Sequence, residues 1–190
     1  MFGRSLVAKG TGCPYAATVK FRIDQVFAAD VASVGAALID ADYLANAMAK
    51  LPDIGAPIIE LQERSGTSIR QQLRYSFNGS LPAAVTRFVN TSKLSWIEDS
   101  LIDLAVNRAR FTMTPVHYKQ FFRCSGEWVL SALSAGMEPK TLRRIEGNLK
   151  VNSPVPFIGG EIEKAIVSGL QERLALEPGV FEEWLTTQKR

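Results

Sequence analysis

The sequence predicts an α+β domain in which a curved antiparallel sheet wraps around one long C-terminal helix, with two short helices after the first strand. Three observations predict it. Segments of period-two hydrophobicity follow one another through short turns, which makes hairpins and therefore an antiparallel sheet. Between the first strand and the others, capped segments carry apolar residues at helical spacing. Towards the C-terminus, Ile158, Ile162, Ile166, Leu170 and Leu174 recur every fourth residue. A stripe of that length has to be buried, and the sheet is the one partner large enough.

The chain has 190 residues, 46% hydrophobic and 22% charged. That suffices for one core and is too apolar for a disordered chain. Residues 1–16 read as a leader loop, and residues 17–190 as a single domain. The net charge of +3 is mild, which gives no reason to expect a nucleic-acid partner. Within the first seventeen residues the longest apolar run is Leu6-Val7-Ala8, short of the ~7–15 residues of a secretory signal. No stretch approaches the ~18–20 apolar residues of a membrane span, so no stable membrane insertion is expected. Cys13 and Cys124 read as two free thiols in a reducing cytoplasm. With His117 as the single histidine, a Cys/His zinc cluster is excluded.

The elements follow in order. Val19, Phe21 and Ile23 alternate with Lys20, Arg22 and Asp24, a half-buried strand ending at Phe27. Asp30 caps a short helix over Val31 to Leu38, and Asp40 or Asp42 caps another from Tyr43 to Lys50. Residues 56–64 and 67–78 form a hairpin about Ser65-Gly66-Thr67. In its return strand Ile69, Leu73, Tyr75 and Phe77 share a face that Gln71 interrupts. Ser80 to Asn90 has helical spacing in Leu81, Val85 and Phe88 and reads as a helical or mobile insertion. Leu94 to Leu104 pairs with Asn107 to Pro115, and Phe121 to Leu133 with Thr141 to Val151. Pro154 and Pro156 then end the sheet, since two prolines in three residues cannot continue a central strand. Pro178 lies inside the last helix and is expected to kink or break it near Glu177, because it removes a donor and crowds the Leu174 carbonyl.

Candidate chemistry is sparse. His117 sits in a loop and has no evident carboxylate partner. Cys124, in a strand interior, reads as a packed thiol rather than a nucleophile. Gly159-Gly160 opens a helix but lacks the lysine and hydroxyl of a phosphate loop. Asp99 and Asp103 share one face of their strand, Glu98 takes the other, and all three read as solvated charges balancing Arg108 and Arg110. No catalytic set, metal site or cofactor motif emerges.

The C-terminal residues carry a resemblance. Arg143-Arg144-Ile145-Glu146-Gly147-Asn148-Leu149-Lys150-Val151, then Pro154-Val155-Pro156-Phe157-Ile158-Gly159-Gly160-Glu161-Ile162-Glu163-Lys164, then Glu182-Glu183-Trp184-Leu185 resemble the START-like helix-grip (SRPBCC) superfamily, which includes the birch-pollen-allergen fold. Within it they are most similar to a bacterial branch known as a domain of unknown function. The element order matches from about residue 17 onwards, and the match in sequence covers residues 143–185. The leader, Pro178-Gly179 in the last helix and the insertion at 80–90 depart from the pattern and bear on the shape of the cavity and its entrance.

The resemblance implies a cavity between sheet and helix. Its lining would be Tyr75, Phe77, Trp96, Phe111, Met113, Trp128 and Leu130 on the sheet, with Ile166 and Leu170 on the helix. Arg143 and Glu63 are the expected polar contacts, and residues 80–90 the expected lid. The implied partner is a hydrophobic or amphipathic, lipid-like small molecule that is carried or sensed without chemistry. Two alternatives stay open. One is an enzyme of the cyclase or dehydratase type gathering Glu63, Glu98, His117 or Arg143 at the cavity mouth. The other is a structural module with a filled core. Nothing in the sequence specifies an oligomeric state.

Overall fold

Seven strands form one antiparallel sheet in the order β1-β7-β6-β5-β4-β3-β2. They are β1 (Ala16–Phe27), β2 (Ile58–Ser65), β3 (Ser68–Ser76), β4 (Ser95–Asp103), β5 (Arg108–Pro115), β6 (Phe122–Leu133) and β7 (Lys140–Asn152). The structure is a computed structural model that describes residues 16–80, 86, 90–119, 122–133, 138–152 and 159–188. The expected leader therefore lies outside the described residues, as do the Leu81, Val85 and Phe88 of the expected lid and the Pro154 and Pro156 turn.

Strands β2 to β7 follow each other as hairpins, whereas β1 pairs with β7 across the sheet, Phe21 opposite Gly147 and Ile23 opposite Ile145. The first two strands thus lie at opposite edges, and the chain between them crosses from one edge to the other. That crossing contains α1 (Val31–Ala37), a π-helical segment Tyr43–Ala47 and a single 3-10 turn Met48–Lys50. Asp30 caps α1 by accepting from the Ser33 amide at 2.8 Å. Asp40 takes the same role for the next segment, accepting from the Tyr43 amide at 2.9 Å. The expected regular second helix is instead a wide turn followed by a tight one. This irregular path carries Tyr43, Leu44, Ala47 and Met48 inward as buried residues.

One face of the sheet is buried by strict parity. On β1 these residues are Phe21, Ile23, Gln25 and Phe27, and on β7 Thr141, Arg143, Ile145, Gly147, Leu149 and Val151. Gly126 and Gly147 face each other across β6 and β7. A side chain at Gly126 would strike the Phe111 ring and the Glu146 carbonyl, and one at Gly147 would strike the Phe21 ring. The glycine pair therefore lets two aromatic rings lie flat on the backbone at the sheet centre.

The C-terminal helix α2 (Gly159–Gln188) runs 30 residues, about 45 Å at 1.5 Å per residue. It packs against β1 and β7. Its buried face passes through Glu163, Leu174, Glu177 and Phe181, with Leu170 and Trp184 half-buried. The expected stripe of steps of four is thereby corrected. Residues four apart drift about 40° around a helix, so two steps before Leu174 the row has rolled outward and Ile166 is 37% exposed. The side chains of Ile158 and Ile162 lie outside the described residues. The helix also does not break at Pro178. Proline leaves the Leu174 carbonyl without its helical donor, and the Gln25 side-chain amide donates to that carbonyl at 2.6 Å. A residue on β1 thus replaces the missing rung.

Phe181 anchors the helix. Fully buried, it meets Phe27 edge-to-face at 5.2 Å and Tyr43 at 6.0 Å, and Trp184 lies 5.2 Å from Tyr43. Phe181→Ala should cost about 3–5 kcal/mol by lost burial and the cavity left behind. Ile166→Ala should cost less than about 1 kcal/mol, as an exposed helical site does. Urea unfolding of both variants checks this, and equal losses would contradict the orientation of α2.

Candidate functional site

A cavity of about 120 Å³ lies between the concave face of the sheet and α2. One water needs roughly 10–15 Å³ on this measure, and an engineered apolar cavity of about 150 Å³ takes benzene. The space therefore suits one ring or a short branched chain. Five strands furnish most of the wall. Gln71, Leu73 and Tyr75 come from β3, Trp96, Glu98, Ser100 and Ile102 from β4, and Phe111 and Met113 from β5. Trp128 adds from β6 and Arg143 and Ile145 from β7. In each strand they are alternate residues, as one face requires.

Of the nine residues expected to line the cavity, Tyr75, Trp96, Phe111, Met113, Trp128 and Leu170 do so. Phe77 lies beyond the end of β3, bridged to Ile54, and is not part of the wall. Leu130 is buried, but Gly35 of α1 lies beside it, so it is core under α1. Ile166 is turned outward for the reason given above. Glu63 and His117 are exposed, so the group of acid–base residues required by a cyclase-type mouth is not assembled, and Glu98 and Arg143 are its members that reach the cavity. Gly126 cannot accept a larger side chain, since backbone and the Phe111 ring occupy that space.

The acidic run on β4 separates as parity demands. Asp99 faces outward, accepting from Gln72 at 2.7 Å and pairing with Arg70 at 3.2 Å. Asp103 lies opposite Arg108 in the register. Glu98 does not join them in solvent. It faces the cavity, where burial raises its pKa above the usual carboxylate range, although a hydrogen bond from Ser100 opposes the shift. Burial likewise pushes the Cys124 thiol up to about 12, which leaves it an inert packed group.

Behind the wall runs a polar network that apolar periodicity did not reveal. The Glu177 carboxylate, 1% exposed, accepts from Arg143 at 3.0 Å, from the Tyr43 hydroxyl at 3.1 Å and from Gln25 at 3.0 Å. Arg173, also buried, donates to the carbonyls of Pro52 at 2.8 Å, Ile54 at 2.9 Å and Met48 at 3.3 Å. Burial lowers its pKa from the ordinary arginine value. The signal was present in the sequence. Arg143 has the same parity as Ile145 and Leu149, and Glu177 lies between Leu174 and Phe181 at helical spacing. An arginine in the buried phase of a strand and a glutamate in the buried phase of a helix imply a pair.

Among the described residues, no group of His, Cys, Asp and Glu could hold a metal ion, and no helix is long and apolar enough to cross a membrane.

Comparison with known proteins agrees with this architecture. Residues 22–185 match a family described as "Protein of unknown function (DUF2505)". No curated protein matches. Among solved structures, TTHA0849 from Thermus thermophilus superposes with a TM-score of 0.56 at 18% identity, covering 90% of this chain and 100% of that one. The Zhui aromatase/cyclase from Streptomyces sp. R1128 gives 0.57 at 15% identity, covering 90% and 96%. Ara h 8.0201 gives 0.55 at 12%, covering 88% and 99%. At these identities the likeness is one of fold, and the fold is the helix-grip fold.

Two consequences can be measured. Glu177→Ala leaves Arg143 buried without its counter-charge and should cost about 3–5 kcal/mol, whereas replacing both with apolar residues of similar size should restore most of the loss. A double variant as unstable as the single one would show that the pair is not isolated in this way. The second concerns pH. Glu98 ionises with a pKa of 4.5 in the open chain and higher in the fold. Above that value the unfolded chain loses the proton first, so this group's contribution to stability falls as pH rises, until native Glu98 also ionises. Glu98→Gln should match the wild type near about pH 4 and exceed it near about pH 8 in urea midpoint. A gain confined to low pH would refute this environment for Glu98.

Proposed function

Because the chain belongs to the DUF2505 family, described as of unknown function, its role has to be argued from its own cavity, and we propose that it is a non-catalytic binder of an apolar or amphipathic small molecule held between the sheet and α2. The observation that carries this is the cavity itself. Its wall is mostly aromatic and aliphatic with a few polar side chains, the composition of small-molecule sites, where apolar area supplies affinity and a few polar groups fix orientation. Tyr75, Trp96, Phe111, Met113, Trp128 and Leu170 would make the apolar contacts. A volume of about 120 Å³ favours a ring-sized or short-chain group. A long acyl chain would need the space to widen or would extend beyond it.

A cyclase- or dehydratase-type reaction is the second reading. It is favoured by Glu98, a carboxylic acid kept protonated to higher pH by burial, and by the shared fold with an aromatase/cyclase. Against it stand the exposed positions of Glu63 and His117.

Native mass spectrometry of protein purified without detergent, followed by a titrated panel of small aromatics, sterols and fatty acids, tests the proposal. The expected result is a reversible adduct recovered chemically unchanged. Ser100, 3% exposed and on the cavity wall, is the position from which to fill the space. Ser100→Met should weaken binding at least about tenfold without lowering the melting temperature. Failure of every panel member to bind the wild type would leave a filled-core module as the better description, and recovery of an altered ligand would favour the enzyme.

A further inference from the structure

The cavity wall has a polarity of its own. Among the described residues, three side-chain nitrogens on its lining residues are buried with no hydrogen-bond partner: Gln71 Nε2, Trp96 Nε1 and Arg143 Nε. Gln71 is 2% exposed and Arg143 8%. Native proteins leave few such groups unpaired, because each costs about 1–3 kcal/mol. An amide can be turned end for end, but an indole N–H and a guanidinium N–H donate and never accept. Two of the three therefore fix the sign of what is missing, and it is an acceptor.

The charges point the same way. Arg143 is matched by Glu177. Arg173, which also lines the cavity, is held by three carbonyls and forms no ion pair among the described residues. Glu98, the other carboxyl group on the wall, is pushed towards its neutral form by burial. The cavity therefore carries an excess of donors and of positive charge over an apolar lining. Trp96 is held rigidly for this purpose, stacked on Tyr75 with ring centroids 5.6 Å apart. The Gln71 amide turns about a soft terminal torsion and can follow a ligand.

We propose that the bound molecule is a ring-sized apolar compound carrying an oxygen acceptor, a carbonyl or carboxylate, which receives hydrogen bonds from Trp96, Arg143 and the Gln71 amide. The proposal rests on the binding reading above and narrows it to a ligand class. Hydrocarbons and amines are disfavoured, the first because they leave the donors unpaired and the second because they bring more donors and more positive charge.

Three probes of nearly equal size separate these cases: isopropylbenzene, acetophenone and benzoate. Each is titrated into the full chain by calorimetry and by the indole N–H resonances in nitrogen-labelled protein, Trp96 being assigned by its loss in Trp96→Phe. Acetophenone or benzoate should bind at least as tightly as the more hydrophobic hydrocarbon and should move the Trp96 indole resonance, which isopropylbenzene leaves in place. In Trp96→Phe the oxygen-bearing probe should weaken by roughly tenfold while isopropylbenzene changes less than about threefold. Which oxygen probe prevails distinguishes carbonyl from carboxylate. Gln71→Leu is the second variant, with the same direction expected, should Trp96→Phe fail to fold. If isopropylbenzene binds and both oxygen probes are weaker by tenfold or more, or the variants affect all three alike, the acceptor proposal falls and the binding function stands. If none of the three binds, and the wider panel also fails, both fall together.

Discussion

The Glu177 carboxylate is the constraint around which this fold is arranged. It sits on α2 and takes hydrogen bonds from β7 through Arg143, from the π-helical segment through Tyr43 and from β1 through Gln25. Those partners come from opposite ends of the chain and from both sides of the helix. A buried charge is costly unless every lone pair is occupied, so any rotation or slide of α2 that drops one partner is penalised steeply. Apolar contacts such as those of Phe181 hold the helix down without choosing among nearby registers. The carboxylate does choose, and in doing so it sets the gap that becomes the cavity.

Pro178 belongs to the same device. Its missing amide frees the Leu174 carbonyl, one turn before Glu177, and Gln25 donates from a single nitrogen to that carbonyl and to Glu177. A residue that would ordinarily terminate a helix is accommodated because a strand supplies the lost donor. Arg173 plays a comparable part on the other side, tying α2 to the carbonyls of residues 48–54. Together these contacts fix the irregular crossing segment, whose Tyr43, Leu44 and Met48 complete the cavity wall.

Much of this fold was legible in the sequence, since it is written in periods. Phe21 and Ile23 announce β1, Asp30 announces α1, and the hairpins from residue 58 to residue 152 fall close to where alternation puts them. What escaped was written in exceptions. A count of apolar residues every fourth position follows Ile166 out to solvent and passes over Glu163, Arg173 and Glu177, which the helix buries. Gln71 read as an interruption of an apolar face and is a buried part of the cavity wall. Glu98 read as one of three surface acids, although its parity already separated it from Asp99 and Asp103. In each case a polar residue occupies a buried phase, and partners distant in sequence decide whether that is tolerable.

Those exceptions also bear on what the cavity is for. A chain selected for stability alone would fill a gap of this size with methyl groups and would pair or remove its buried donors, since both changes are energetically favourable. Here the donors of Glu177 are satisfied with care, on the far side of the wall, while Trp96, Arg143 and Gln71 keep unpaired nitrogens on residues of the wall itself. Satisfaction where the fold is locked and omission where it lines a space make a division that packing does not explain. Buried polar groups left short of a partner belong where function makes up the difference. The molecule that fills this space has to bring both apolar surface and the oxygen that the wall lacks.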